Sequence, residues 1–119
     1  MTADTIPPRP PIVVLCGSTR FWDALTEAAL YEAAAGRIVL APVCDLRTPH
    51  PLWDDPARAD RLQRVLGDLH LRKIDLADDV LIVNPDAYIG DSTRREIEYA
   101  RSLVKPIRYT HPQAGRGDS

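Results

Sequence analysis

The sequence predicts an α/β fold: a doubly wound parallel sheet of four to five strands in the order 2-1-3-4, covered by helices on both faces to make three layers. Three observations lead there. Residues 12–16, 38–41 and 80–83 are short runs that are apolar throughout, as strands buried on both faces are. Longer stretches with apolar residues at helical spacing separate those runs. The regular alternation of the two implies parallel strands joined by right-handed helical crossovers.

Residues 1–11 are Pro-rich and read as an extended lead-in. The single domain follows over residues 12–110, and residues 111–119 read as a flexible polar tail. Within the domain, the β-branched run 12–16 is the first strand, closed by Gly17. A helix is expected over about 20–35, with Phe21, Leu25, Ala28, Ala29 and Glu32 on one side and Gly36 as its C-terminal cap. The second strand, 38–41, stops at Pro42. An irregular stretch over 43–56 is long for a plain connection and reads as a binding loop. The next helix, about 57–76, turns Leu62, Val65, Leu66, Leu69 and Lys73 to one side. The third strand, 80–83, is broken by Asn84 and Pro85. A last helix over about 94–103 buries Ile97, Ala100 and Leu103, and 107–109 is the fourth strand.

Composition excludes some functions. The net charge of −2 argues against binding the backbone of a nucleic acid polymer, which calls for a strongly basic face. A small anionic ligand needs only two or three local cations. No apolar run approaches the length that crosses a bilayer, so no membrane partner is expected. The N-terminus lacks the charged start and apolar stretch of a secretion signal, which implies a cytoplasmic protein with Cys16 and Cys44 reduced. Neither cysteine has metal-ligand spacing, so both read as structural thiols, with no metal or cofactor implied.

The topology locates the site. In the order 2-1-3-4 the switch point lies between the first and third strands, and ligands bind outside their carboxyl ends. The first strand runs into Gly17, Ser18, Thr19 and Arg20; the third runs into the turn carrying Gly90, Ser92, Thr93 and Arg94. Each turn offers hydroxyls and backbone N–H groups at a helix start, which favour an anion. Each also carries an arginine able to grip phosphate. Asp45 and Arg47, just past the second strand, share that edge and are placed to contact sugar or base. Trp53 is a candidate to stack on a base, and Trp22 reads as core or interface. Asp79 opens the third strand and is a weaker catalytic candidate.

Glu96 has two readings. Three positions after Thr93, it fits a capping box. Facing the cleft, it fits a carboxylate nucleophile at a sugar carbon. His70, with a pKa near neutrality, can protonate a leaving group or be a structural helix histidine.

The segments 14–20 (Val-Leu-Cys-Gly-Ser-Thr-Arg), 77–83 and 90–100 resemble the nucleoside 2-deoxyribosyltransferase superfamily, which includes the 2′-deoxynucleoside 5′-phosphate N-hydrolases. The resemblance spans most of residues 12–109, and its specific parts are the Cys-Gly-Ser-x-Arg turn and the Glu96–Ala100 run. It implies a flavodoxin-like fold, a homodimer or higher homo-oligomer, and cleavage of the N-glycosidic bond of a nucleoside 5′-monophosphate. By motif position Glu96 is the nucleophile, Ser18 and Arg20 bind phosphate, and Ser92 adds a contact. The acid that assists the base falls to Asp68 or His70, because the family's base-binding aspartate aligns with Leu71 here. The alternative function is nucleotide binding or sensing without catalysis.

Overall fold

A computed structural model describes residues 8–112. Its sheet has four parallel strands in the order β2-β1-β3-β4, namely β1 (Ile12–Cys16), β2 (Ile38–Leu40), β3 (Asp79–Ile82) and β4 (Ile107–Tyr109). Three helices complete it: α1 (Trp22–Ala34), α2 (Pro56–Leu76) and α3 (Asp91–Ser102). The predicted order and three-layer flavodoxin-like arrangement are therefore correct.

Strand alternation builds two cores. Val13 and Leu15 of β1, with Leu81, meet Leu25 of α1 on one face. Val14 and Cys16, with Val80 and Ile82, meet Ile74 of α2 and Ile97 and Ala100 of α3 on the other. Apolar side chains on both faces of β1 and β3 explain why those runs contain no polar alternation.

Three local expectations change. First, α2 buries His70 and Ile74 rather than the stripe from Leu62 to Lys73, and Val65 and Leu69 stay about half exposed. A 21-residue helix is about 31 Å long, whereas a five-residue strand spans about 17 Å. The first half of α2 thus outruns the sheet and overhangs the carboxyl edge, where its apolar side chains have little to cover. Second, α3 starts three residues early: Gly90 is its N-cap, and Thr93 sits inside the first turn, buried. Third, Leu103 ends α3 with 40% exposure instead of packing inward.

Beyond β4, His111 ties back to the turn after β3. Its N–H donates to Asn84 Oδ1 (3.0 Å), and Asn84 Nδ2 donates to its carbonyl (2.8 Å). Asn84 is fully buried, and these bonds satisfy an amide that would otherwise be costly to desolvate. At the other end, Asp78 accepts from Arg9 (2.7 Å) and from the Ile12 N–H (2.8 Å), pinning the described part of the lead-in. The remainder of the predicted lead-in and tail, residues 1–7 and 113–119, lies outside the described residues.

Candidate functional site

A cleft of about 760 Å³ opens at the carboxyl ends of β1 and β3, the predicted switch point. Its floor is the turn after β1. A Cβ at Gly17 would lie 2.5 Å from the Val83 carbonyl oxygen, so only glycine lets β1 leave the sheet this close to β3. Ser18 then caps a short 3-10 turn by accepting from the Arg20 N–H (3.2 Å). Gly17, Ser18 and Thr19 all line the cleft.

The loop after β2 makes a second wall. Thr19 donates to Asp45 (3.3 Å), and Arg47 donates to Asp45 through its Nε (2.9 Å) and backbone N–H (3.1 Å). The Arg47 guanidinium, followed by burial acting the other way, holds the Asp45 carboxyl below its ordinary range. Asp45 and Arg47 are thus paired neighbours at the mouth of the cleft, on the edge where their position past β2 put them.

Helix α3 makes a third wall with Gly90, Ser92, Thr93 and Glu96. No side chain caps its N-terminus at Gly90, so its first N–H groups and dipole present positive potential there, offset in part by the Asp91 carboxylate of the same turn, which also lines the cleft. The early start of α3 overturns the capping-box reading, because Thr93 is not the N-cap and Glu96 lies in the second turn. The Glu96 carboxylate instead stands 3.8 Å from His70 Nε2 of α2. Cys16 Sγ of β1 lies 3.3 Å from the same nitrogen. All three ligand-type atoms lie within 4.8 Å of one another.

Burial governs the charge of this cluster. Desolvation pushes Glu96 up to about 7, opposed by its hydrogen bond to Cys16. Desolvation and the nearby Lys73 ammonium push His70 down to about 4, against a hydrogen bond to the Leu15 backbone. Burial raises the Cys16 thiol well above its usual value, with Glu96 adding to the effect. Near neutrality His70 is a neutral ring, and Glu96 is poised between its two forms.

The expected residues are not all in the cleft. Arg20 lies over the Tyr88 ring, 4.8 Å from its centroid, and is not among the cleft-lining residues. Arg94 bonds Asp91 (3.2 Å) and the Ile89 carbonyl (3.3 Å) and also stands outside the lining. The cations on the cleft wall are Arg47 and Lys73. Asp68 is exposed on α2, off the lining, because it sits two positions before His70 on a different face. Asp79 is at the opposite end of β3 and pairs with Arg108 (2.9 Å), which also holds the buried Glu32 (2.7 Å).

Trp53 stacks on His50 (4.6 Å between centroids) and donates to the Thr48 carbonyl. With Trp22 it lines a separate pocket of about 330 Å³ that meets the main cleft at Asp45. Sequence reading did not assign Lys73, Tyr88 or the Cys16 contact to the site. For Lys73 a signal existed: it follows His70 by three positions, so the two share a helix face. Nothing local links Cys16 to residues 54 and 80 positions later.

No protein-family model matches the chain, and no curated protein matches it.

Proposed function

We propose that the cleft binds a nucleoside 5′-monophosphate and cleaves its N-glycosidic bond. The observation that carries this reading is the Glu96 carboxylate on the cleft wall, released from any capping role and 3.8 Å from His70. The phosphate rests between the Ser18–Thr19 turn and the uncapped N-terminus of α3 at Ser92, beside Arg47, which donates to Thr19 (3.3 Å). Arg20 joins only by leaving the face of Tyr88.

The chemistry needs one proton and one carboxylate. Transfer of the Glu96 proton to His70 Nε2, which runs uphill from a group at about 7 to one at about 4, frees the carboxylate and forms the imidazolium in a minor population. Glu96 then attacks the anomeric carbon as the C–N bond breaks. The departing base takes the bonding pair and the His70 proton. Water hydrolyses the resulting glycosyl ester, restoring Glu96 and releasing the sugar phosphate. His70 is the acid in this scheme because Asp68 stands outside the cleft.

The same reading carries a homodimer or higher homo-oligomer in the cytoplasm. Two free cysteines suit a reducing compartment. Among the described residues no helix is long and apolar enough to cross a membrane.

The test incubates chelator-treated protein with a panel of ribo- and deoxyribonucleoside 5′-monophosphates and follows free base by chromatography. Release of base from at least one of them is expected. A rise in melting temperature with no base assigns a binding domain instead, and neither effect removes the nucleotide from the account.

A further inference from the structure

Cys16, His70 and Glu96 bring a sulfur, a nitrogen and an oxygen donor to one point from β1, α2 and α3. We propose that they form a three-ligand site for a thiophilic divalent cation of the zinc type, with its fourth coordination position open to the cleft. This inference stands apart from the hydrolase reading.

The geometry supports it. Zinc bond lengths place one sulfur, one nitrogen and one oxygen ligand of a tetrahedral site roughly 3.3–3.6 Å apart, so the His70–Glu96 pair must close by about 0.3–0.4 Å on binding. The Cys16–His70 and His70–Glu96 separations are 3.3 and 3.8 Å, and the full set spans no more than 4.8 Å. A small turn of the Glu96 side chain closes the set. The three side chains hang from a strand end and two helices of the core, so the site needs no loop to order.

His70 is already arranged as a ligand. Nε2 faces both partners, 3.3 Å from Cys16 Sγ and 3.8 Å from Glu96 Oε1. Charge also balances. Coordination releases the thiol proton, and the Glu96 proton where that carboxyl is protonated, to solvent; the thiolate and carboxylate then cancel the 2+ ion, so the loaded cluster is neutral despite its burial. The mixed donor set disfavours magnesium and calcium, which take oxygen ligands. Entry is from the cleft, which His70 and Glu96 both line. A bound ion engages the Glu96 lone pair, so the loaded form cannot use that carboxylate as a nucleophile.

The experiment uses untagged, chelator-stripped protein. Co2+ is titrated in the absorption spectrometer, and Zn2+ is titrated against a chromophoric chelator. One Co2+ per chain is expected, with a near-ultraviolet sulfur-to-metal band and the visible bands of a tetrahedral site. Cys16→Ala, checked for folding by circular dichroism, should lose the near-ultraviolet band and weaken Zn2+ binding at least about tenfold. Glu96→Gln should keep the sulfur band and bind more weakly, and Cys44→Ala should behave as wild type. A folded wild-type protein without the band overturns the site. So does a band that survives Cys16→Ala or disappears with Cys44→Ala. These readouts are independent of base release, so failure of the metal site and failure of the hydrolase reading are separate results.

Discussion

Replacing Gly17 by alanine tests how tightly the floor of the cleft is built. The new Cβ would lie 2.5 Å from the Val83 carbonyl oxygen, and ordinary contact begins at 3.4 Å, so the turn and β3 must separate by about 0.9 Å. No rotamer change relieves the clash because the partner is backbone. The same strand ends are joined by the Val83 N–H to Cys16 carbonyl bond of 2.8 Å, which any separation weakens. Overpacking costs about 1–3 kcal/mol and a weakened hydrogen bond about 1 kcal/mol, giving about 2–4 kcal/mol together. Urea denaturation at pH 7 should show the midpoint falling with an unchanged slope, since the surface exposed on unfolding does not change. The melting temperature should fall by about 10–20 °C. A loss below about 0.5 kcal/mol would show that the turn has room for a side chain and refute the close approach.

Asp78 is held down at about 2, from an ordinary 3.8, by its bonds to Arg9 and then to the Ile12 N–H. A carboxyl depressed in the folded state adds stability above its unfolded pKa and loses that contribution as pH falls through the folded one. Denaturation midpoints should therefore drop between about pH 4 and 2, and Asp78→Asn should flatten that drop. Val104 follows α3 in the left-handed region (φ 57°) and is 88% exposed. Its neighbours close the helix end by Schellman-type bonds, Lys105 N–H to the Ala100 carbonyl and Val104 N–H to the Arg101 carbonyl. Val104→Gly should therefore stabilise by about 0.5–1 kcal/mol in thermal or urea unfolding, net of the greater freedom glycine gives the unfolded chain. Light scattering should report a dimer or larger assembly, and a monomer at micromolar concentration would remove self-association from the proposed function.

The strands and their order were legible because β1 and β3 are apolar on both faces, a pattern few other architectures produce. The position of the cleft followed from that order alone. The start of α3 was not legible. Thr93 and Glu96 have the spacing of a capping box, yet the helix begins at Gly90, and burying Thr93 against the core fixes that earlier start. The directions of the Arg20 and Arg94 side chains were not legible for a related reason. Sequence puts an arginine at a turn but not its direction, and Tyr88 and Asp91 offer each a nearby partner outside the cleft. The face of α2 was misread because periodicity marks an apolar stripe without saying how much sheet lies beneath it. The Cys16–His70–Glu96 cluster was invisible because its members lie far apart in the chain and only the parallel crossovers bring them together.

The most direct test of the account compares free base released from a nucleoside 5′-monophosphate by chelator-treated wild type and Glu96→Gln. Release by the wild type is expected, with a loss of more than about a hundredfold in the variant. Ligand-induced thermal stabilisation should persist in that variant, since Glu96 does not hold the phosphate. Equal rates in the two proteins would contradict the assignment of Glu96, and no release from any nucleotide by the wild type would contradict the catalytic reading itself.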